Sequence, residues 1–130
     1  MAGNPLFNQL QRRIGYTFRD EGRLKTAMTH SSTGVERDNE RLEFLGDRVV
    51  NLVMAQELFT RFPDEAEGDL AKRHAALVQG KMLAAIARDI GLGEAVIMSD
   101  AERAAGGGDN ENIIADCCEA LLGAVFLDAG

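Results

Sequence analysis

At 130 residues and 14.1 kDa, the chain has room for one domain around one core, which excludes a two-domain enzyme with a separate cofactor module. Apolar residues make up 45% of it, enough to fill an interior that hides roughly two-thirds of the surface an unfolded chain exposes. The 21 Asp and Glu against 14 Lys and Arg leave a formal charge of −7, the wrong sign for a protein that holds nucleic acid by unspecific phosphate attraction.

Apolar residues recur at helical spacing in most segments, with no sustained period-two alternation, so the pattern predicts a single all-α domain. A first helix covers 4–14 with Leu6, Leu10 and Ile14 on one face. A second, 20–29, opens at Asp20 as N-cap and carries Leu24, Ala27 and Met28. After a polar loop the third helix starts at Asp38 or Asn39 and runs to the boundary before Pro63, about 24 residues or ~36 Å. Beyond the acidic turn from Asp64 to Gly68, Asp69 is expected to cap a fourth helix that continues to Ile90 and stops at Gly91. A short element around 94–104 leads into the flexible run Gly106-Gly107-Gly108, and a last helix spans Asn110 to Leu127. No internal repeat or long linker divides the chain.

The only thiols, Cys117 and Cys118, are neighbours that cannot easily pair with each other, which fits a reducing compartment. No apolar run approaches ~18 residues, and the polar N-terminus, with Asn8, Gln9, Gln11, Arg12 and Arg13, has no export signal. A cytoplasmic location and no membrane partner are expected.

On the third helix Glu40, Glu43 and Asp47 stand at i, i+3 and i+7, within about 60° of one another. Leu42, Leu45, Val49, Leu52 and Val53 collect on the opposite side. Taken alone, this describes an amphipathic helix with a solvated acidic face. The last helix changes the argument. Between Ile113 and Leu127 its only charged residues are Asp116 and Glu119, set among Ile114, Leu121, Leu122, Val125 and Phe126. A helix apolar almost all round is a buried one, and two adjacent carboxylates left ionised and unpaired there cost roughly several kcal/mol each. No Lys or Arg of this helix compensates them. Their neighbours Ala120 and Gly123 are small enough to admit another backbone or a ligand.

Bound cations would supply the missing charge, and a donor set of carboxylate oxygens suits Mg²⁺, with Mn²⁺ as a substitute. Zinc lacks any CxxC or HExxH arrangement, and a di-iron bundle would need Glu-x-x-His pairs that are missing. His30 and His74, remote in sequence, read as structural or surface residues. Nothing calls for an organic cofactor.

The string NERLEFLGD at 39–47, together with AMTHSS at 27–32, EGD at 67–69 and ADCCEALLGAVFLD at 115–128, resembles the catalytic domain of bacterial ribonuclease III over essentially the whole chain. The resemblance implies a homodimeric, Mg²⁺-dependent endonuclease of double-stranded RNA, active in RNA processing. It would hydrolyse phosphodiester bonds by metal-assisted water attack and leave 5′-phosphate and 3′-hydroxyl ends. Carried over residue by residue, it implies metal binding by Glu43, Asp47, Asp116 and Glu119, with Asp47 and Glu119 as the catalytic pair. Glu40 and Glu67 would support substrate or second-metal handling, and Phe44 would dock into the partner subunit. Phe44 has independent support: it projects within about 40° of the acidic stripe, away from Leu42 and Leu45, and so has no obvious core to enter.

Three features depart from the family pattern. Arg48 follows Asp47 where a small residue is common, leaving it to pair with a carboxylate or face solvent. GGGDNEN stands before ADCCEA in place of an arginine-containing segment. Residues 1–130 end without the family's C-terminal double-stranded-RNA-binding domain, so RNA binding is expected to be weak and salt-sensitive, with Lys72, Arg73 and Lys81 as candidate contacts. The alternative function is a catalytically silent helical dimerisation module of the same fold.

Overall fold

The computed structural model describes residues 3–130, which form α1 (Pro5–Ile14), α2 (Glu21–Ala27), α3 (Glu40–Arg61), α4 (Glu67–Leu77), α5 (Gly80–Asp89), α6 (Leu92–Ala95), α7 (Asp100–Ala104) and α8 (Glu111–Ala129). Two short 3-10 turns, Ser31–Thr33 and Gly107–Asp109, complete the order. The fold is all-α, as the periodicity predicts. The one strand-like pairing among the described residues is an isolated bridge between Thr29 and Ile97.

Helix ends follow local chemistry. Asn4 accepts from the Leu6 amide at 2.9 Å to open α1, Asp20 accepts from Gly22 at 3.0 Å to open α2, and Asn110 accepts from Ile113 at 3.1 Å to open α8. At the start of α3 the two candidate caps divide the work: Asp38 accepts from the Glu40 amide at 3.0 Å, while the Asn39 side chain points inward and makes no cap bond.

α8 is the axis of the core. Its Ile114, Ala115, Cys117, Cys118, Ala120, Leu121 and Ala124 are buried against Leu10, Leu24, Met28, Leu83, Ala84 and Leu92. α2, α5 and α6 pack directly on it, α1 packs on α6, and α3 makes the most extensive contact with it. The buried character expected from its composition follows from this central position.

Three expectations need correction. The helix predicted from Asp69 to Ile90 is two helices, because Gln79 adopts an extended conformation (φ −63°, ψ 145°) and breaks it before Gly80. The halves serve different partners: α4 packs on α3, and α5 packs on α8. Both are amphipathic, so their apolar spacing runs on through the break and hides it. Asp69 is not the cap either; α4 starts at Glu67, which puts Glu67 and Asp69 in its first turn, where the helix dipole favours negative charge. On α3, Leu52 and Val53 are exposed, since only a narrow strip around Gly46 and Val50 is covered within one chain.

Asp128, near the end of α8, was not legible in advance. It is buried, and its carboxylate accepts from the Tyr16 hydroxyl, from the Arg19 and Asp20 amides at 2.8 and 3.0 Å, and from Arg23 Nη1 at 3.0 Å. The Tyr16 hydrogen bond foremost, with the other donors, holds it well below the usual carboxylate range despite its burial. One side chain thereby clamps the 16–23 segment onto α8. Among the described residues no helix is long and apolar enough to cross a membrane.

Candidate metal centre

The site is built where α3 crosses α8, and two glycines let the backbones touch. A Cβ on Gly46 would lie 1.6 Å from the Glu119 carbonyl oxygen, and one on Gly123 would lie 2.5 Å from the Leu42 carbonyl oxygen. Any larger residue at either place would force the helices apart. The backbone that Gly123 was expected to admit is therefore that of α3.

This contact fixes the carboxylates. Glu43 and Asp47 flank Gly46 on α3, while Asp116 and Glu119 precede Gly123 on the facing side of α8. One oxygen each from Glu43, Asp116 and Glu119 falls within 4.8 Å of the others, and all three residues are half-buried. Asp47 lies outside that group of three but close enough to Glu119 to push its carboxyl up, and on its outer side it accepts from Arg48 Nη1. The Arg48 guanidinium also sits 4.6 Å from the centroid of the Phe44 ring, so Arg48 pairs and remains exposed at once. A cleft of about 470 Å³ opens over the cluster, lined by Glu40, Glu43, Phe44, Asp47, Arg48 and Glu119.

The electrostatics report an unbalanced charge. Partial burial, followed by the hydrogen bond and negative charge of Asp47, pushes the Glu119 carboxyl up to about 8. Burial, then the negative charge of Asp116, raises Glu43. Burial likewise raises Asp116, against a hydrogen bond from Glu43 and the nearby His30. Without a counter-charge such a group must hold protons, whereas a divalent cation would replace them. The oxygen-only donor set and its narrow span fit a hard cation of the Mg²⁺ or Mn²⁺ type.

Not every candidate residue reaches this centre. Glu40 is exposed on the cleft wall. Glu67 lies elsewhere, at a cavity of about 370 Å³ between α3 and α4 that Leu58, Phe59, Leu70 and His74 also line. The Phe44 ring is 64% exposed and enters no core of its own chain. Arg73 is a poor candidate for phosphate, because it makes a bidentate pair with Glu65 at 2.8 and 2.7 Å and stacks on Phe62. Lys72 and Lys81 are exposed. His74 Nε2 is held 2.9 Å from the Asn51 carbonyl oxygen, while His30, distant in sequence, stands near Asp116 in space.

A helical domain with a carboxylate cluster at the crossing of two glycine-notched helices defines a class of helical proteins with a candidate metal centre, and the comparisons with known proteins narrow it. Residues 20–130 match the family described as Ribonuclease-III-like, and the chain belongs to the ribonuclease III family. It is 48% identical over 122 residues to Ribonuclease 3 of Pseudomonas fluorescens (strain SBW25), covering 94% of this chain and 53% of that protein. It is 47% identical over 125 residues to Ribonuclease 3 of Marinomonas sp. (strain MWYL1), covering 96% and 55%. The chain therefore spans about half the length of the curated relatives it matches. A solved nuclease domain of ribonuclease III from Campylobacter jejuni, described for structural flexibility in a region involved in dimer formation, superposes with a TM-score of 0.93 at 44% identity, covering 95% of this chain and 87% of that one.

Proposed function

We propose that this chain is a divalent-metal-dependent endonuclease of double-stranded RNA that acts as a homodimer, takes Mg²⁺ with Mn²⁺ as substitute, and leaves 5′-phosphate and 3′-hydroxyl ends. The observation that carries the reading is the convergence of Glu43, Asp116 and Glu119 within 4.8 Å, with Asp47 against Glu119. When bound, the metal supplies charge for water attack on phosphorus and for the leaving oxygen.

The chain's own residues would hold and poise that centre. Glu43, Asp47, Asp116 and Glu119 provide the ligand oxygens, and the neutralised cluster then accepts a phosphate that the bare carboxylates repel. Duplex RNA would be recognised by shape through its backbone, and the net negative charge of this domain makes for weak, salt-sensitive binding.

The second copy has two supports. Phe44, Leu52 and Phe59 are 64%, 70% and 75% exposed along one helix, which is unusual for a monomer's surface. The Phe44 ring and the cavity beside Phe59 lie 15 positions apart on α3, about 22 Å. A two-fold axis between them would seat each Phe44 in the partner's cavity and bring Glu67 of the partner subunit toward Glu40 and Glu43. That placement gives Glu67 the supporting role it cannot take within its own chain.

The test is digestion of long duplex RNA with Mg²⁺ or with EDTA, followed by end-group analysis. Cleavage should need the metal, and Glu119→Gln or Asp47→Asn should reduce it at least about 100-fold, ~2.7 kcal/mol of barrier, with helicity unchanged. Equal cleavage by wild type and both variants would overturn the assignment.

A further inference from the structure

Asn39 is a good capping residue by type, yet its side chain is not used as a cap. That work falls to Asp38, which accepts from the Glu40 amide. The Asn39 amide is instead turned into the protein, 3% exposed, and Nδ2 donates to Cys117 Sγ on α8 at 3.1 Å. Its main chain is tied as firmly: the Asn39 amide donates to the Thr29 carbonyl oxygen at 2.9 Å, and its own carbonyl oxygen accepts from the Glu43 amide at 2.9 Å. Thr29 is itself held to the rest of the fold, because His30 N donates to Ile97 O at 2.8 Å and Ile97 N donates to Met28 O at 2.7 Å.

The position of this bond gives it meaning. Asn39 lies one turn before Glu43, and Cys117 directly follows Asp116. The bond between them therefore links the two helices at residues next to Glu43 and Asp116. The Gly46 and Gly123 contacts set how closely the backbones of α3 and α8 approach over residues 42–46 of α3. The Asn39–Cys117 bond adds a side-chain tie at the very start of α3, on the other side of Glu43 from Gly46. Cys117 is fully buried, so no water can replace the amide as its partner or offer the amide another acceptor.

We propose that Asn39 is a positioning residue for metal binding, its side-chain hydrogen bond to Cys117 setting the separation of the Glu43 and Asp116 carboxylates. The proposal rests on the metal-dependent reading above. It assigns the asparagine that opens NERLEFLGD to the geometry of the site, acting through Glu43 and never touching the substrate.

The experiment titrates Mn²⁺ into the full chain by calorimetry, alongside Mg²⁺-dependent cleavage of duplex RNA. Partners behind ligating groups typically change metal affinity by about 10–100-fold when removed. Asn39→Ala and Cys117→Val should weaken Mn²⁺ binding about tenfold or more and raise the Mg²⁺ needed for half-maximal cleavage in parallel, while the KM for RNA at saturating Mg²⁺ stays within about twofold. Cys117→Ser restores an acceptor and should bind Mn²⁺ within about threefold of wild type. The double variant Asn39→Ala/Cys117→Val should be scarcely weaker than either single one, as expected of two residues acting through one bond. If Asn39→Ala fails to fold, the comparison of Cys117→Ser with Cys117→Val still decides. Equal Mn²⁺ affinity in those two, with wild type binding normally, overturns the positioning role alone. Absence of Mn²⁺ binding by wild type overturns the metal reading and this proposal with it.

Discussion

Gly46 and Glu119 face each other across the helix crossing so closely that a single methyl group on Gly46 would stand 1.6 Å from the Glu119 carbonyl oxygen. Replacing a mid-helix glycine by alanine ordinarily gains up to about 1 kcal/mol. Here the sign reverses, because the obstacle is backbone and cannot rotate away. Gly46→Ala is expected to lower stability by about 3 kcal/mol or more and to abolish metal-dependent cleavage, since the carboxylates of the two helices part. Gly68→Ala on α4, where nothing beyond its own stretch of helix lies within 4 Å of the added carbon, should leave stability unchanged or raise it slightly. Urea unfolding of the two variants makes the comparison, and a stable, active Gly46→Ala protein would contradict the close approach.

A second prediction concerns protons. Glu119 ionises near 8 in the fold and near 4.3 in an unfolded chain, so between those values the folded state binds more protons and stability falls as pH rises. Glu43 and Asp116 are raised as well and act in the same direction. In EDTA the protein should therefore melt at a higher temperature at pH 6 than at pH 8, and Glu119→Gln should flatten that slope. Cations compete with these protons, so apparent Mg²⁺ affinity should rise toward pH 8 by a factor approaching about ten per pH unit for each proton displaced. A Mg²⁺ affinity independent of pH from 6 to 8 would show that the ion binds elsewhere.

Much of this centre could be read from the residues alone, for identifiable reasons. Asp116 and Glu119 stood out because their helix offers no other charge over four turns, which makes their burial a problem that demands a counter-ion. Glu43 and Asp47 were visible as a stripe, although spacing could not say that the stripe faces α8 and not water. The break at Gln79 escaped because amphipathic spacing runs on through it. Leu52 and Val53 were misplaced because spacing measures which side is apolar, whereas exposure depends on what covers that side. Asn39 and Asp128 were invisible for a further reason: each works through partners more than 70 residues away in sequence, and no local pattern encodes such a pairing.

Asp128 yields a third prediction with the opposite pH sense. Its donors keep it ionised in the fold at acidities where an unfolded aspartate would be protonated, so its stabilising effect is present above about pH 4 and fades as the pH falls through lower values. Asp128→Asn should melt below wild type at pH 7, because either orientation of the amide turns its N–H groups toward a donor, the Asp20 amide and Arg23 in the place of one oxygen or the Arg19 amide in the place of the other. The gap between the two melting temperatures should begin to narrow as the pH falls from about 4 toward 3. A constant difference across that range would mean that the loss is one of packing and not of charge.

The last prediction separates assembly from chemistry. Phe44 carries its exposed ring beside the cleft, backed by the Arg48 guanidinium on one face. Removing an aromatic anchor at the centre of an interface costs roughly 2 kcal/mol or more, and in a two-fold dimer the loss occurs twice. Phe44→Ala should therefore raise the dimer dissociation constant by at least about 100-fold and shift sedimentation at micromolar concentration toward monomer. Helicity and the melting temperature at low concentration should be unchanged, because the ring packs on nothing in its own core. Cleavage should fall with the dimer and recover at high protein concentration, since the Phe44→Ala chain still holds all four carboxylates. If the variant sediments as wild type does, the ring has no partner, and the proposed place of Glu67 beside the neighbouring site falls with it.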